Sequence, residues 1–141
     1  AYNDFVRAED YLDTATSLKK YNNILVLRTF SKAYGLAGLR VGALLAGDPQ
    51  LINWIHRVRM PFNVNALAQK AVIASMEDTE YIKKSQQAVW NGLDYFCKEL
   101  SALGVPFIPS QGNFVLLDVQ RDATEVFQQC LRQGVILRTV K

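Results

Sequence analysis

Two apolar runs of strand length, Ile24-Leu25-Val26-Leu27 and Val41 to Ala46, flank a segment whose only charged side chains are Arg28, Lys32 and Arg40. A continuous apolar run without alternation suits a strand in a sheet covered on both faces. The segment between the runs must leave the sheet as a loop. Its glycines, Gly35, Gly38 and Gly42, fit neither GxGxxG nor GxxxxGK[ST], so a nucleotide loop is not indicated. They read instead as positions of tight backbone approach.

Lys32 sits among small and apolar residues, with the hydroxyls of Thr29 and Ser31 just before it and Arg40 eight residues after it. Burial of such a lysine favours the neutral amine, and a nearby cation favours it further. A neutral amine attacks carbonyl carbon, so the setting suits Schiff-base chemistry. The two hydroxyls and the guanidinium form a cradle for a phosphate dianion. An amine beside a phosphate site is what pyridoxal phosphate requires.

The pattern Thr29-x-Ser31-Lys32, six mostly small or apolar residues, then Leu39-Arg40-Val41-Gly42 resembles the cofactor-lysine segment of fold-type-I pyridoxal-phosphate aminotransferases. Within that family the wording is closest to the histidinol-phosphate branch. Arg59-Met60-Pro61-Phe62-Asn63-Val64-Asn65, followed by Ala68-Gln69, is similar too, as is Gly112-Asn113-Phe114-Val115. Ala1-Tyr2 matches the end of the family's Asp-Glu-Ala-Tyr segment. The resemblance runs the whole length of the chain.

The resemblance implies roles. Lys32 would hold pyridoxal 5'-phosphate as a Schiff base and, once displaced by the substrate amine, act as general base. Arg40, Thr29 and Ser31 would bind the cofactor phosphate, Arg40 through a planar fork that lysine cannot reproduce. Tyr2 would donate its phenol to the cofactor's O3′. Arg138 resembles an arginine that contacts the substrate's own phosphate, with an exposed strand-end arginine as the alternative. The aspartate that keeps the pyridinium nitrogen protonated in the family precedes the matching tyrosine by three residues and is not in this chain. The fold implied is α/β: the C-terminal part of a large cofactor-binding domain over residues 1–77, then a small, incomplete α+β domain over 78–141. The chain is thus expected to be a fragment, inactive alone, of a homodimeric enzyme of histidine biosynthesis that takes small amino-acid and phosphorylated substrates. Its rivals are an aromatic-amino-acid aminotransferase or threonine-phosphate decarboxylase of the same fold, or a catalytically silent effector-binding module.

Composition adds exclusions. A formal charge of +3, spread along 141 residues with no cluster of Lys and Arg, gives no footing for nucleic acid. Cys97 and Cys130 lie in amphipathic helical patterns rather than at CxxC or CxxH spacing, as expected of reduced thiols in the cytosol. His56, the single histidine, stands beside Arg57 and near Arg59 on a helix, so neither a metal site nor histidine-nucleophile chemistry is expected. The mixed opening Ala1 to Asp10 does not read as a leader. The apolar run from Gly35 to Gly47 is broken by Arg40 and is far shorter than the ~20 residues of a membrane span. A cytoplasmic protein without a membrane partner is expected.

Helices are expected over Thr14 to Tyr21, Pro49 to Val58, Asn65 to Ser75, Thr79 to Leu103 and Ala123 to Gln133. Pro49 marks a start, Asp78 or Thr79 a cap, and Gly104 and Gly134 mark ends. Strands are expected over Asn113 to Val119 and Val135 to Arg138. Trp54 and Trp90 fall at core or interface positions of their helices.

Overall fold

The computed structural model describes residues 1–140, which are mixed helix and strand and form two compact units. The first unit is Ala1–Asn91 with Gln111–Asn113, and the second is Gly92–Ser110 with the chain from Phe114 onward.

In the first unit, β1 (Leu25–Thr29) and β2 (Gly42–Ala46) form an antiparallel hairpin. Its register pairs Leu25 with Ala46, Leu27 with Leu44 and Thr29 with Gly42. A side chain at Gly42 would stand 2.7 Å from the Arg28 carbonyl oxygen, so this end of the ladder needs glycine. Strand residues face opposite sides in turn. Val26 is buried, while Leu27 is 70% exposed. The sheet is therefore covered on one face only, not both, because within this unit no layer packs on the side that Leu25 and Leu27 present.

The helices carry the local signals of their ends. Asp13 caps α1 (Thr14–Ser17) by accepting the Ala15 N–H at 3.0 Å. The same carboxylate oxygen takes Arg28 Nη2 at 2.7 Å, tying α1 to β1. α1 stops short of Tyr21 because bonds such as Lys20 N to Ser17 O (3.0 Å) tighten the chain to the i→i+3 pattern. Asp48 caps α2 (Pro49–Val58), whose Pro49 falls where a missing N–H costs nothing. Asn65 caps α3 (Ala66–Glu77) through the Ala68 N–H at 2.8 Å. Trp54 on α2 is 53% exposed and takes no part in the core.

α4 (Thr79–Ala102) begins with Asp78 accepting the Tyr81 N–H at 2.9 Å. Its first half holds the N-terminal segment. Trp90 Nε1 donates to the Phe5 carbonyl at 2.7 Å, and Gln86 Nε2 donates to the Asp4 carbonyl at 2.6 Å. Phe5 itself is 2% exposed, the largest fully buried side chain among the described residues. The division between units falls at Asn91 and Gly92, inside this helix.

In the second unit α4 ends at Gly104, whose φ of +66° lets the Val105 N–H reach the Leu100 carbonyl at 3.0 Å. α5 (Ala123–Arg132) closes the same way at Gly134, with Val135 N bonded to Cys130 O at 2.9 Å. β3 (Phe107–Ile108) pairs antiparallel with β4 (Leu116–Leu117). The expected strand over 113–119 shrinks to these two residues because its partner is only two long, and Pro106 has no N–H to extend the ladder. Residues 135–138 form no strand. No described strand pairs with them, and Ile136 is 80% exposed.

Candidate active site

The hairpin assembles the site. Its ladder runs Leu25/Ala46 through Thr29/Gly42, and Phe30 N–H then donates to the Val41 carbonyl at 3.4 Å. The ladder ends there, because the Phe30 carbonyl accepts the Leu36 N–H at 2.9 Å. Antiparallel pairing thus brings Phe30 and Val41 together, and Ser31 and Arg40 leave the same end of the hairpin.

At the loop's entrance the Thr29 hydroxyl donates to Ser31 Oγ at 2.9 Å and accepts the Ser31 N–H at 3.1 Å. Such a hydroxyl turn fixes both side chains beside the backbone. Lys32 to Gly35 then make a β-turn, closed by Gly35 N–H to Lys32 O at 3.0 Å. Gly35 has φ of +68°. Ala33 is turned inward and is 1% exposed. A 3-10 turn, Ala37–Leu39, leads to Arg40, which is left-handed at φ 52° and ψ 54°. A non-glycine residue there is uncommon and held by its surroundings. Arg40 Nη1 donates to the Ala37 carbonyl at 2.7 Å, leaving the rest of its five-donor fork outside that bond.

Lys32 is exposed rather than desolvated. The inward place in the turn goes to Ala33, which puts the lysine on the open side. Its ammonium stands 5.8 Å from the centroid of the Tyr2 ring. Tyr34, in the same turn, packs edge-on against Phe30 with centroids 5.1 Å apart. Burial raises the Tyr34 phenol above its ordinary value; the Asp4 carboxylate adds to the rise and the Arg28 guanidinium opposes it.

Tyr2, Thr29, Ser31, Lys32 and Arg40 all belong to the first unit. Arg138 is carried by the second unit, in the exposed stretch after α5. Sequence reasoning gave no role to Asp13, Tyr34 or Gln86, and gave Trp90 a core or interface position without its bond to Phe5. Asp13 carried a findable signal, an acidic residue directly before a helix that opens on Thr14. The contacts of Gln86 and Trp90 to residues 4 and 5 have no local signature. Gly38 does not serve close approach: a side chain there would meet nothing within 4 Å. A separate groove of about 670 Å³ lies beside the hairpin base, bounded by Phe30, Val41, Arg59, Phe62, Asn63 and Val64, and holds none of the candidate residues.

The lysine loop closed by an antiparallel ladder, with a hydroxyl pair at one end and an arginine at the other, agrees with the family comparison. The chain matches the model for aminotransferase class I and II over residues 1–141 and belongs to that family. Among its relatives, histidinol-phosphate aminotransferase from Bdellovibrio bacteriovorus is 55% identical over 98% of this chain and 37% of its own length. The enzyme of that name from Moorella thermoacetica is 46% identical over 99% of this chain and 36% of its own. The chain therefore spans a little over a third of these relatives.

Among solved structures, histidinol-phosphate aminotransferase from Sinorhizobium meliloti in complex with pyridoxal-5'-phosphate superposes with a TM-score of 0.86 at 30% identity, over 98% of this chain and 38% of that one. The Clostridium acetobutylicum histidinol-phosphate aminotransferase has a TM-score of 0.88 at 22% identity, covering 98% of this chain and 42% of its own, and attests the fold.

Proposed function

We propose that this chain is the lysine-bearing part of a pyridoxal-phosphate-dependent aminotransferase. Its reaction is the exchange of an amino group between glutamate and imidazole-acetol phosphate, that of a histidinol-phosphate aminotransferase. The observation that carries this reading is the hairpin, from whose closed end at Phe30 and Val41 both Ser31 and Arg40 depart, with Lys32 in the loop between them. These residues fit a phosphorylated aldehyde: a primary amine for the carbonyl, two neutral donors 2.9 Å apart and a guanidinium for the phosphate.

When bound, the cofactor supplies an electron sink that makes the substrate's Cα–H acidic. Lys32 Nζ would hold the cofactor through its aldehyde carbon and would move the proton at that Cα. Ser31 Oγ would donate to the phosphate while accepting from Thr29, and Thr29 Oγ1 would donate there by giving up its bond to Ser31. Arg40 adds the charge, and its constrained backbone aims the fork. Tyr2 would donate its phenol to the cofactor's O3′, and Arg138 would contact the substrate's own phosphate.

The expected division into a large cofactor-binding domain over residues 1–77 and a small one over 78–141 differs from that of the compact units, which divide at Asn91 and Gly92 inside α4. A homodimer is supported by the apolar side chains that α2, α3 and their link leave exposed, Val58, Met60, Phe62, Leu67 and Ile73. No helix among the described residues is long and apolar enough to cross a membrane. The free, half-buried thiols of Cys97 and Cys130 suit the reducing cytoplasm.

The test is borohydride reduction of the protein carrying this chain after loading with pyridoxal phosphate, followed by peptide mass mapping. The adduct is expected on Lys32. An adduct found instead on Lys70 or Lys98 would end the assignment.

A further inference from the structure

Among the described residues, Lys20 and Lys32 lie over aromatic rings. Lys20 lies 5.2 Å from the ring of Tyr21, its neighbour in sequence, a contact the chain makes by adjacency. Lys32 lies 5.8 Å from the ring of Tyr2, thirty residues away, which only tertiary structure can arrange.

The mounting of Tyr2 is rigid for a residue so near the first position. The Phe5 N–H donates to the Tyr2 carbonyl at 3.0 Å, closing the short 3-10 turn Asn3–Phe5. That turn is locked by the buried Phe5 ring and by the bonds from Gln86 and Trp90 of α4. The ring is thus tied to the helix, and the lysine to the hairpin loop. An ammonium is drawn to the negative face of such a ring. The contact narrows the conformers of a side chain that otherwise carries about 2 kcal/mol of rotamer entropy.

We propose that the Tyr2 ring holds Lys32 as its ammonium in the cofactor-free chain and so restrains capture of the aldehyde until the contact is given up. The inference rests on the cofactor reading above and gives Tyr2 a second task, performed by its ring rather than its hydroxyl and before the cofactor arrives. Capture itself is a condensation: the amine nitrogen, once deprotonated by solvent, bonds to the aldehyde carbon, and the aldehyde oxygen leaves as water, with no change of oxidation state. The ring favours the protonated form, which cannot attack, so the contact must be lost before that step. A cation–π contact at an exposed site corresponds to a two- to fivefold effect, from about 0.5–1 kcal/mol.

The experiment compares the unmodified chain with Tyr2→Phe, which keeps the ring, and with Tyr2→Leu and Tyr2→Met, which remove it. Lysines labelled by reductive methylation with carbon-13 report the contact by NMR, and Lys32→Arg identifies the signal. In the unmodified chain and Tyr2→Phe, the Lys32 methyl signal is expected to be displaced by the ring current. In Tyr2→Leu and Tyr2→Met it is expected to join the other lysines. On unlabelled protein, the initial rate of borohydride-trapped loading at Lys32 is expected to be two- to fivefold higher in Tyr2→Leu and Tyr2→Met than in Tyr2→Phe, which like them lacks the phenol hydroxyl but keeps the ring.

Circular dichroism confirms that the variants are folded, and either ring-less variant suffices. A Lys32 signal unmoved by loss of the ring, or equal loading rates in all variants, overturns the proposal. Loading of the unmodified chain no faster at Lys32 than at Lys70 or Lys98 instead overturns the cofactor reading and the capture role with it. The displaced methyl signal would in that case still uphold the ring contact.

Discussion

Gly35→Ala probes the lysine turn at its most constrained point. Two costs are open to it. Gly35 has φ of +68°, and placing an L-residue in the left-handed region costs about 1–2 kcal/mol. The new Cβ would also lie 2.6 Å from the Tyr81 hydroxyl oxygen, too close to stand. These costs differ in how they can be relieved. Tyr81 is 46% exposed and Oη is the far end of its side chain, so the ring can swing toward water. The backbone cannot relax as readily, because Gly35 N is bonded to Lys32 O and Leu36 N to Phe30 O at 2.9 Å.

The φ cost should therefore dominate. Gly35→Ala is expected to lower unfolding stability by about 1–2 kcal/mol in urea titration. Tyr81→Ala combined with it should recover no more than a few tenths of that beyond simple additivity. A neutral or stabilising Gly35→Ala, or a cost abolished by Tyr81→Ala, would refute the reasoning and place the constraint in side-chain crowding.

Phe5→Ala removes the largest buried side chain and should destabilise by about 3–5 kcal/mol, read by thermal unfolding, with the Trp90 fluorescence change occurring at lower temperature. The raised Tyr34 phenol contributes stability that is fully present below its ordinary value of 10.0 and is lost as pH climbs through the higher folded-state value. Tyr34→Phe should therefore flatten the alkaline decline in stability above about pH 10, seen in denaturant midpoints against pH. Arg40→Lys should weaken pyridoxal phosphate binding about 10- to 100-fold in equilibrium dialysis, the loss of one or two charge-assisted hydrogen bonds. Unchanged affinity would remove Arg40 from the phosphate site.

Much of the chain was legible where the signals are local. α2 runs from Pro49 to Val58 as read, because a proline at the first helical position and its Asp48 cap act within one turn. α4 ends where Gly104 permits a left-handed residue. Strands fared worse, since a strand exists only if a partner is present. Val135 to Arg138 has strand composition and no ladder, and Asn113 to Val119 keeps only the two residues that β3 can pair. The expected two-sided sheet failed for a related reason: apolarity states that a face is to be covered, not which layer covers it.

The same boundary runs through the site. Thr29, Ser31, Lys32 and Arg40 could be picked from the sequence because a hydroxyl pair, an isolated amine and a guanidinium on one loop already specify the chemistry. That Ser31 and Arg40 leave the same end of the hairpin was decided by the antiparallel register of β1 and β2, a pairing between residues distant in the chain. Tertiary packing likewise chose Ala33 over Lys32 for the buried place in the turn and brought the Tyr2 ring to the ammonium. Local chain chemistry set the helix ends, the loop and its reactive groups. Long-range pairing and burial alone set their mutual placement, because the free energy of those contacts depends on neighbours that sequence proximity does not supply.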